Sequence, residues 1–170
     1  MENNWLKHIG FVGLIIFFQI LVFNNLDISS SIIPFIYPLI IISASRVSNR
    51  SLLLILGFFL GLLIDMFSNT GGAHAMATTL LAFFQPYLLS SMGPSDSNSD
   101  KIKPSIYSLG LNNYLVFALI LLFVHHFVVF FIEVFTFSNF GLTLLRIISS
   151  SFSSLVLITL LQFIFVRKEK

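Results

Sequence analysis

Cysteine is absent from the 170 residues, and charged residues make up only 9% of them. The first absence excludes disulfides, thiol chemistry and cysteine-ligated metals. The second sets the chain apart from soluble domains, in which about a quarter of residues carry charge. Catalytic signatures are missing as well. There is no G-x-S-x-G, no H-E-x-x-H and no pair of catalytic aspartates, and no phosphate-loop lysine follows the short 68–72 stretch. The expectation is a non-enzymatic chain with no cofactor and no metal site. The net charge of +2 comes from Lys and Arg at the edges of apolar segments, so it is no argument for nucleic acid as a partner.

What is present is hydrocarbon. Hydrophobic residues make up 56% of the chain, gathered in runs of the length that crosses a bilayer core about 30 Å thick. These runs predict an all-α integral membrane protein forming one polytopic domain over 1–170. Its six transmembrane helices are expected over 5–23, 30–45, 51–67, 73–90, 108–132 and 142–166. Lys7, Arg46, Arg50, Lys101, Lys103, Arg167, Lys168 and Lys170 all fall in alternate gaps, and the intervening gaps hold no Lys or Arg. Positive loops stay cytoplasmic, which puts both termini and the hydrophilic linker 92–105 inside. The first run is too long for a signal-peptide core and is expected to be retained.

The second run is the weakest. It is short and contains Pro34 and Pro38. A re-entrant segment is the alternative at this length. Charge parity favours a crossing helix, because a segment that turned back would move every later positive cluster outside. Pro34 is then tolerated in the first turn, and Pro38 introduces a kink.

Ionisable residues within apolar runs are the candidates for function, because charge in hydrocarbon is costly. Asp65 lies about 22 Å along the third run from Arg50, at the helical rise of about 1.5 Å per residue. His74 opens the fourth run. His126 and Glu133 are seven residues apart on one face of the fifth, and Arg146 is near the start of the sixth. The same outer half of the membrane should therefore hold a buried polar cluster of Asp65, His126, Glu133 and Arg146, with Arg146 and His126 as candidate partners of Asp65. The bland reading of each is also open: Arg146 reaching headgroups, Glu133 and His74 at the interface, and His125 and His126 as packing residues.

Gly57 and Gly61 share one helical face, and Ala73, Ala77 and Ala82 form a small-residue seam on the next helix. Such faces let helices approach closely, within the chain or toward a partner. Together, Gly57, Phe58, Gly61, Leu62, Asp65, Phe67, Ser68, Asn69, Thr70, Gly72, His74, Ala75, Ala82, Gln85 and Pro86 resemble the MreD family of rod shape-determining proteins. The stretches QILVFNN at 19–25 and PFIYP at 34–38 look like that family's first loop and second helix. The resemblance implies a multi-pass protein of the bacterial cytoplasmic membrane. It implies a scaffold in the peptidoglycan-synthesising elongation machinery, bound to a bitopic MreC-like protein and to other cell-wall elongation proteins. On this reading Gly57, Gly61, Asp65, Gly72, His74 and Ala77 serve helix packing or partner contact. A compact six-helix bundle with an outward polar cluster also resembles the substrate-binding S component of energy-coupling-factor vitamin transporters, which is the alternative.

Overall fold

The computed structural model describes residues 4–25, 32–45, 49–92, 103–134 and 139–165, with the side chains of the first helix described from Ile9 onward. They form seven α-helices: α1 (Asn4–Leu21), α2 (Leu39–Ile42), α3 (Arg50–Ser68), α4 (Ala73–Met92), α5 (Ile106–Leu109), α6 (Leu111–Val134) and α7 (Phe140–Phe165). A single 3-10 turn (Phe23–Asn25) follows α1. Helix α4 packs against α3 on one side and α6 on the other, and α6 packs in turn against α7.

The expectation of six transmembrane helices is overturned. Among the described residues, three helices are long and apolar enough to cross a membrane: α3, α6 and α7. That is the character of a multi-pass membrane protein, but the inside–outside assignment built on six crossings falls with the count. Among the described side chains, the end of α1 and the 3-10 turn after it give an apolar stretch, Ile9–Asn25, shorter than a span. Two physical reasons account for the rest of the difference. Helix α4 has 20 residues, but His74, Thr78, Thr79, Gln85 and Pro86 dilute its apolar character. The second run is barely helical at all.

That run holds only the four residues of α2 in helical form. Proline disfavours helical backbone in the residue before it, here Ile33 and Tyr37, and supplies no amide of its own. Pro38 therefore starts a short helix, as its N-cap, instead of kinking a long one. Residues 32–38 thread the bundle interior, with Phe35, Ile36 and Tyr37 buried. Irregular backbone is tolerated at such depth only when protein groups satisfy it. They do so here. The Ile33 amide donates to Ser150 Oγ at 3.0 Å and the Phe35 amide to Ser154 Oγ at 2.8 Å. The Ile36 amide donates to Gln19 Oε1 at 2.7 Å, with Tyr37 more distant at 3.4 Å. Lower down, Gln85 Nε2 donates to the Ala44 carbonyl at 2.9 Å, and Gln162 Nε2 to Ser43 Oγ at 3.3 Å. The segment thus runs alongside α7 from Ser150 to Ser154 to Gln162, a distance of about 18 Å by helical rise.

The other long helices begin and end within three residues of the expected bounds, the widest gap being at the start of α6, where Gly110 separates Leu111 from α5. Most of the linker 92–105, and with it Lys101, lies outside the described residues, as do Arg46, Arg167, Lys168 and Lys170.

Candidate functional site

The polar residues of the α3–α4 hairpin are organised by a tight turn. Asn69 ends α3 in the left-handed conformation (φ 56°), and its amide donates to the Asp65 carbonyl at 2.8 Å. Gly72 follows at φ 102°, a conformation open to glycine but strained for any side chain. Gly72 therefore leads into α4 without a side-chain oxygen to accept the unpaired amides of its first turn. Asp65 supplies one from the neighbouring helix. Its Oδ1 accepts the His74 amide at 3.0 Å and the Thr70 hydroxyl at 2.6 Å, and its Oδ2 accepts the Ala75 amide at 2.8 Å. The carboxylate is 5% exposed, and the positive end of the α4 dipole helps to compensate its charge.

The glycine face of α3 is turned to this same helix. A Cβ on Gly57 would lie 3.0 Å from both Ala82 Cβ and the Thr78 carbonyl oxygen. One on Gly61 would lie 2.5 Å from Ala75 Cα and would press on the His74 carbonyl. Gly57 and Gly61 therefore serve packing within the chain. Ala77 is also fully buried.

Deeper in, α4, α6 and the irregular segment share a ring cluster. Tyr37 Oη lies 2.8 Å from His74 Nδ1 and 2.5 Å from His125 Nε2. The Phe35 ring fills the space between three imidazoles, with centroids 4.9, 5.7 and 5.1 Å from His74, His125 and His126. His126 belongs to a chain of bonds with one consistent direction. Its Nδ1 is 2.7 Å from the Leu122 carbonyl, which can only accept, so Nδ1 carries the proton. In the neutral ring Nε2 is then an acceptor for the Ser154 hydroxyl at 3.2 Å, and Ser154 Oγ accepts the Phe35 amide.

Glu133 and Arg146 are in a separate layer. Glu133 is seven residues beyond His126, roughly 10 Å along α6. Arg146 Nη1 is 3.6 Å from Glu133 Oε2, both side chains being about a quarter exposed, and its guanidinium stacks 4.4 Å over the Phe130 ring. The single cluster anticipated from the sequence is thus two layers bridged by Phe130. Asp65 engages the start of α4, with neither Arg146 nor His126 as its partner.

Sequence reasoning missed Gln19, Tyr37 and the specific roles of Ser150 and Ser154. Gln19 was visible as a lone amide within an apolar run, and Tyr37 as a hydroxyl beside Pro38. Neither signal says which distant group it would meet. Among the described residues no group of three or more His, Asp or Glu could hold a metal ion. The Tyr37 oxygen and its two histidine nitrogens stand at hydrogen-bond separations, too close together to surround an ion. No protein-family model, curated protein or solved structure matches this chain.

Proposed function

We propose that the chain is a non-catalytic scaffold of the bacterial cytoplasmic membrane. It would act in the elongation machinery that directs peptidoglycan synthesis, holding a bitopic MreC-like partner and thereby cell shape. The reading rests on the MreD-like residues between 57 and 86. One observation supports it: Asp65, His74, Thr78 and Gln85 are buried and bonded, while the exposed helical positions of that stretch are apolar. Asp65, Thr70, His74, Thr78 and Gln85 all have partners within the chain. Leu54, Phe58, Leu62, Met76 and Phe83 line an outer groove of about 610 Å³ between α3 and α4. A surface of that kind suits other hydrophobic helices or lipid and offers little to a polar substrate. The vitamin-transporter alternative needs a cavity among the histidines, and the Phe35 ring fills that space.

The test is depletion in the native host together with mild-detergent purification of a tagged copy. Rounding of the cells and retention of a single-span partner would support the scaffold. Unchanged shape, or a small molecule retained in stoichiometric amount, would overturn it.

A further inference from the structure

Arg146 and Glu133 stand at the end of the bundle where α6 finishes and α7 begins. Helix α6 is about 36 Å long by helical rise, against a hydrocarbon core of about 30 Å, so its last turn reaches the edge of the bilayer. Both side chains are about a quarter exposed. The ion pair between them is incomplete. Arg146 Nη1 and Glu133 Oε2 are 3.6 Å apart, beyond a hydrogen bond, although the guanidinium has five N–H donors and the carboxylate two acceptor oxygens. Arg146 Nε is shut in without a partner among the described residues, so the bonds that compensate the cation fall to its outer nitrogens. The fully buried Phe130 ring covers one face of the guanidinium at 4.4 Å and forms a floor beneath the pair.

We propose that this pair is a headgroup site for a zwitterionic phospholipid with a primary amine, its phosphate oxygens meeting Arg146 and its ammonium meeting Glu133. The site holds one charge of each sign. A purely anionic lipid gains at Arg146 and is repelled at Glu133, whereas a zwitterion gains at both. A primary ammonium donates hydrogen bonds to the carboxylate, which the quaternary nitrogen of a choline headgroup cannot do.

The fold adds to this preference. Glu133 is the penultimate residue of α6, and the negative end of the helix dipole favours a cation beside it. Toward the middle of the bilayer, exposed Phe123 and Phe127 on α6 and Phe152 and Val156 on α7 offer apolar surface to acyl chains. A soluble amine phosphate gains nothing from that surface, and this assigns the headgroup to a lipid. The inference goes beyond the scaffold reading and does not depend on it.

Full-length protein in nanodiscs of equimolar phosphatidylethanolamine, phosphatidylglycerol and phosphatidylcholine provides the test, with retained lipids counted by native mass spectrometry. Phosphatidylethanolamine should be retained over each of the others by roughly fivefold, the size of one charge contact at a membrane surface. Glu133→Gln should erase its advantage over phosphatidylglycerol, and Arg146→Gln should lose the retained lipid. Equal retention of the three lipids by the unaltered protein would overturn the site, and that measurement needs no variant to fold. Unchanged selectivity in both variants would overturn it too. Displacement of the retained lipid by soluble phosphoethanolamine would assign the site to a free solute and overturn the lipid.

Discussion

Asp65 caps a helix to which it does not belong: from the last turn of α3 its Oδ2 accepts the Ala75 amide of α4 at 2.8 Å. The bond joins the two helices where glycine has already brought their backbones together. The turn, the glycine face and the carboxylate act as one unit, because each sets the distance that the others need.

Replacing Asp65 should therefore be felt in α4. Asp65→Leu leaves two buried amides unpaired and should lower stability by roughly 2–6 kcal/mol, at about 1–3 kcal/mol per unsatisfied group. Asp65→Asn keeps one acceptor oxygen and should lose about half as much. Because Arg146 pairs with Glu133, the effects of Asp65→Leu and Arg146→Leu should add to within about 0.5 kcal/mol. Thermal unfolding of the four combinations in detergent checks this, and strong non-additivity would contradict the pairing.

The two glycines of α3 should differ in tolerance. A methyl at Gly57 meets neighbours at 3.0 Å, and a small shift of Ala82 could accommodate part of it. A methyl at Gly61 meets the α4 backbone, which cannot move without displacing the helix. Gly57→Ala should keep much of the monodisperse folded yield, whereas Gly61→Ala and Gly61→Leu should lose most of it. Size-exclusion profiles of fluorescent fusions would show the order, and a normal Gly61→Leu profile would mean that this face points to lipid.

Neighbouring serines of α7 offer an internal control. Ser154 accepts the Phe35 amide and donates to His126, whereas Ser151 donates only to the Ile147 carbonyl of its own helix. Ser154→Ala should cost about 1–3 kcal/mol, the penalty of leaving a buried donor unmade. Ser151→Ala should have a smaller effect. Equal unfolding midpoints for the two variants would mean that the irregular segment does not depend on Ser154.

Gln19 uses both ends of its amide, Oε1 toward Ile36 and Nε2 toward Asn24 at 2.9 Å. Gln19→Leu preserves apolar volume but removes the acceptor. It should destabilise by about 1–3 kcal/mol and expose the 32–38 segment. Because the chain has no cysteine, Ser43→Cys is a clean reporter. Its thiol should react faster when combined with Gln19→Leu, and an unchanged rate would show that the segment is held elsewhere.

Much of the architecture was legible in the residues. Hydropathy marks where backbone must satisfy itself within a helix, so it located α3, α4, α6 and α7 closely. Glycine spacing located the face on which α3 meets α4, because only an absent side chain permits that approach. It left open whether the face met a helix of the same chain. Asp65 was legible as an anomaly, a carboxylate in an apolar run, but its partners were not. Backbone amides carry no sequence signal, so side-chain partners such as Arg146 and His126 were the visible candidates.

The sequence by itself determined that this chain belongs in a bilayer, that thiol chemistry is excluded, and which helix faces could pack closely. The tertiary structure alone decided the fate of 32–45. Apolar composition records what a segment avoids and says nothing about where its amide hydrogens go. Two prolines made a continuous helix unfavourable, but what makes the irregular path stable lies on α1 and α7. The Ile33 and Phe35 amides find acceptors 117 and 119 residues away. No local pattern carries such a pairing, and it comes into being only when the helices assemble around the segment.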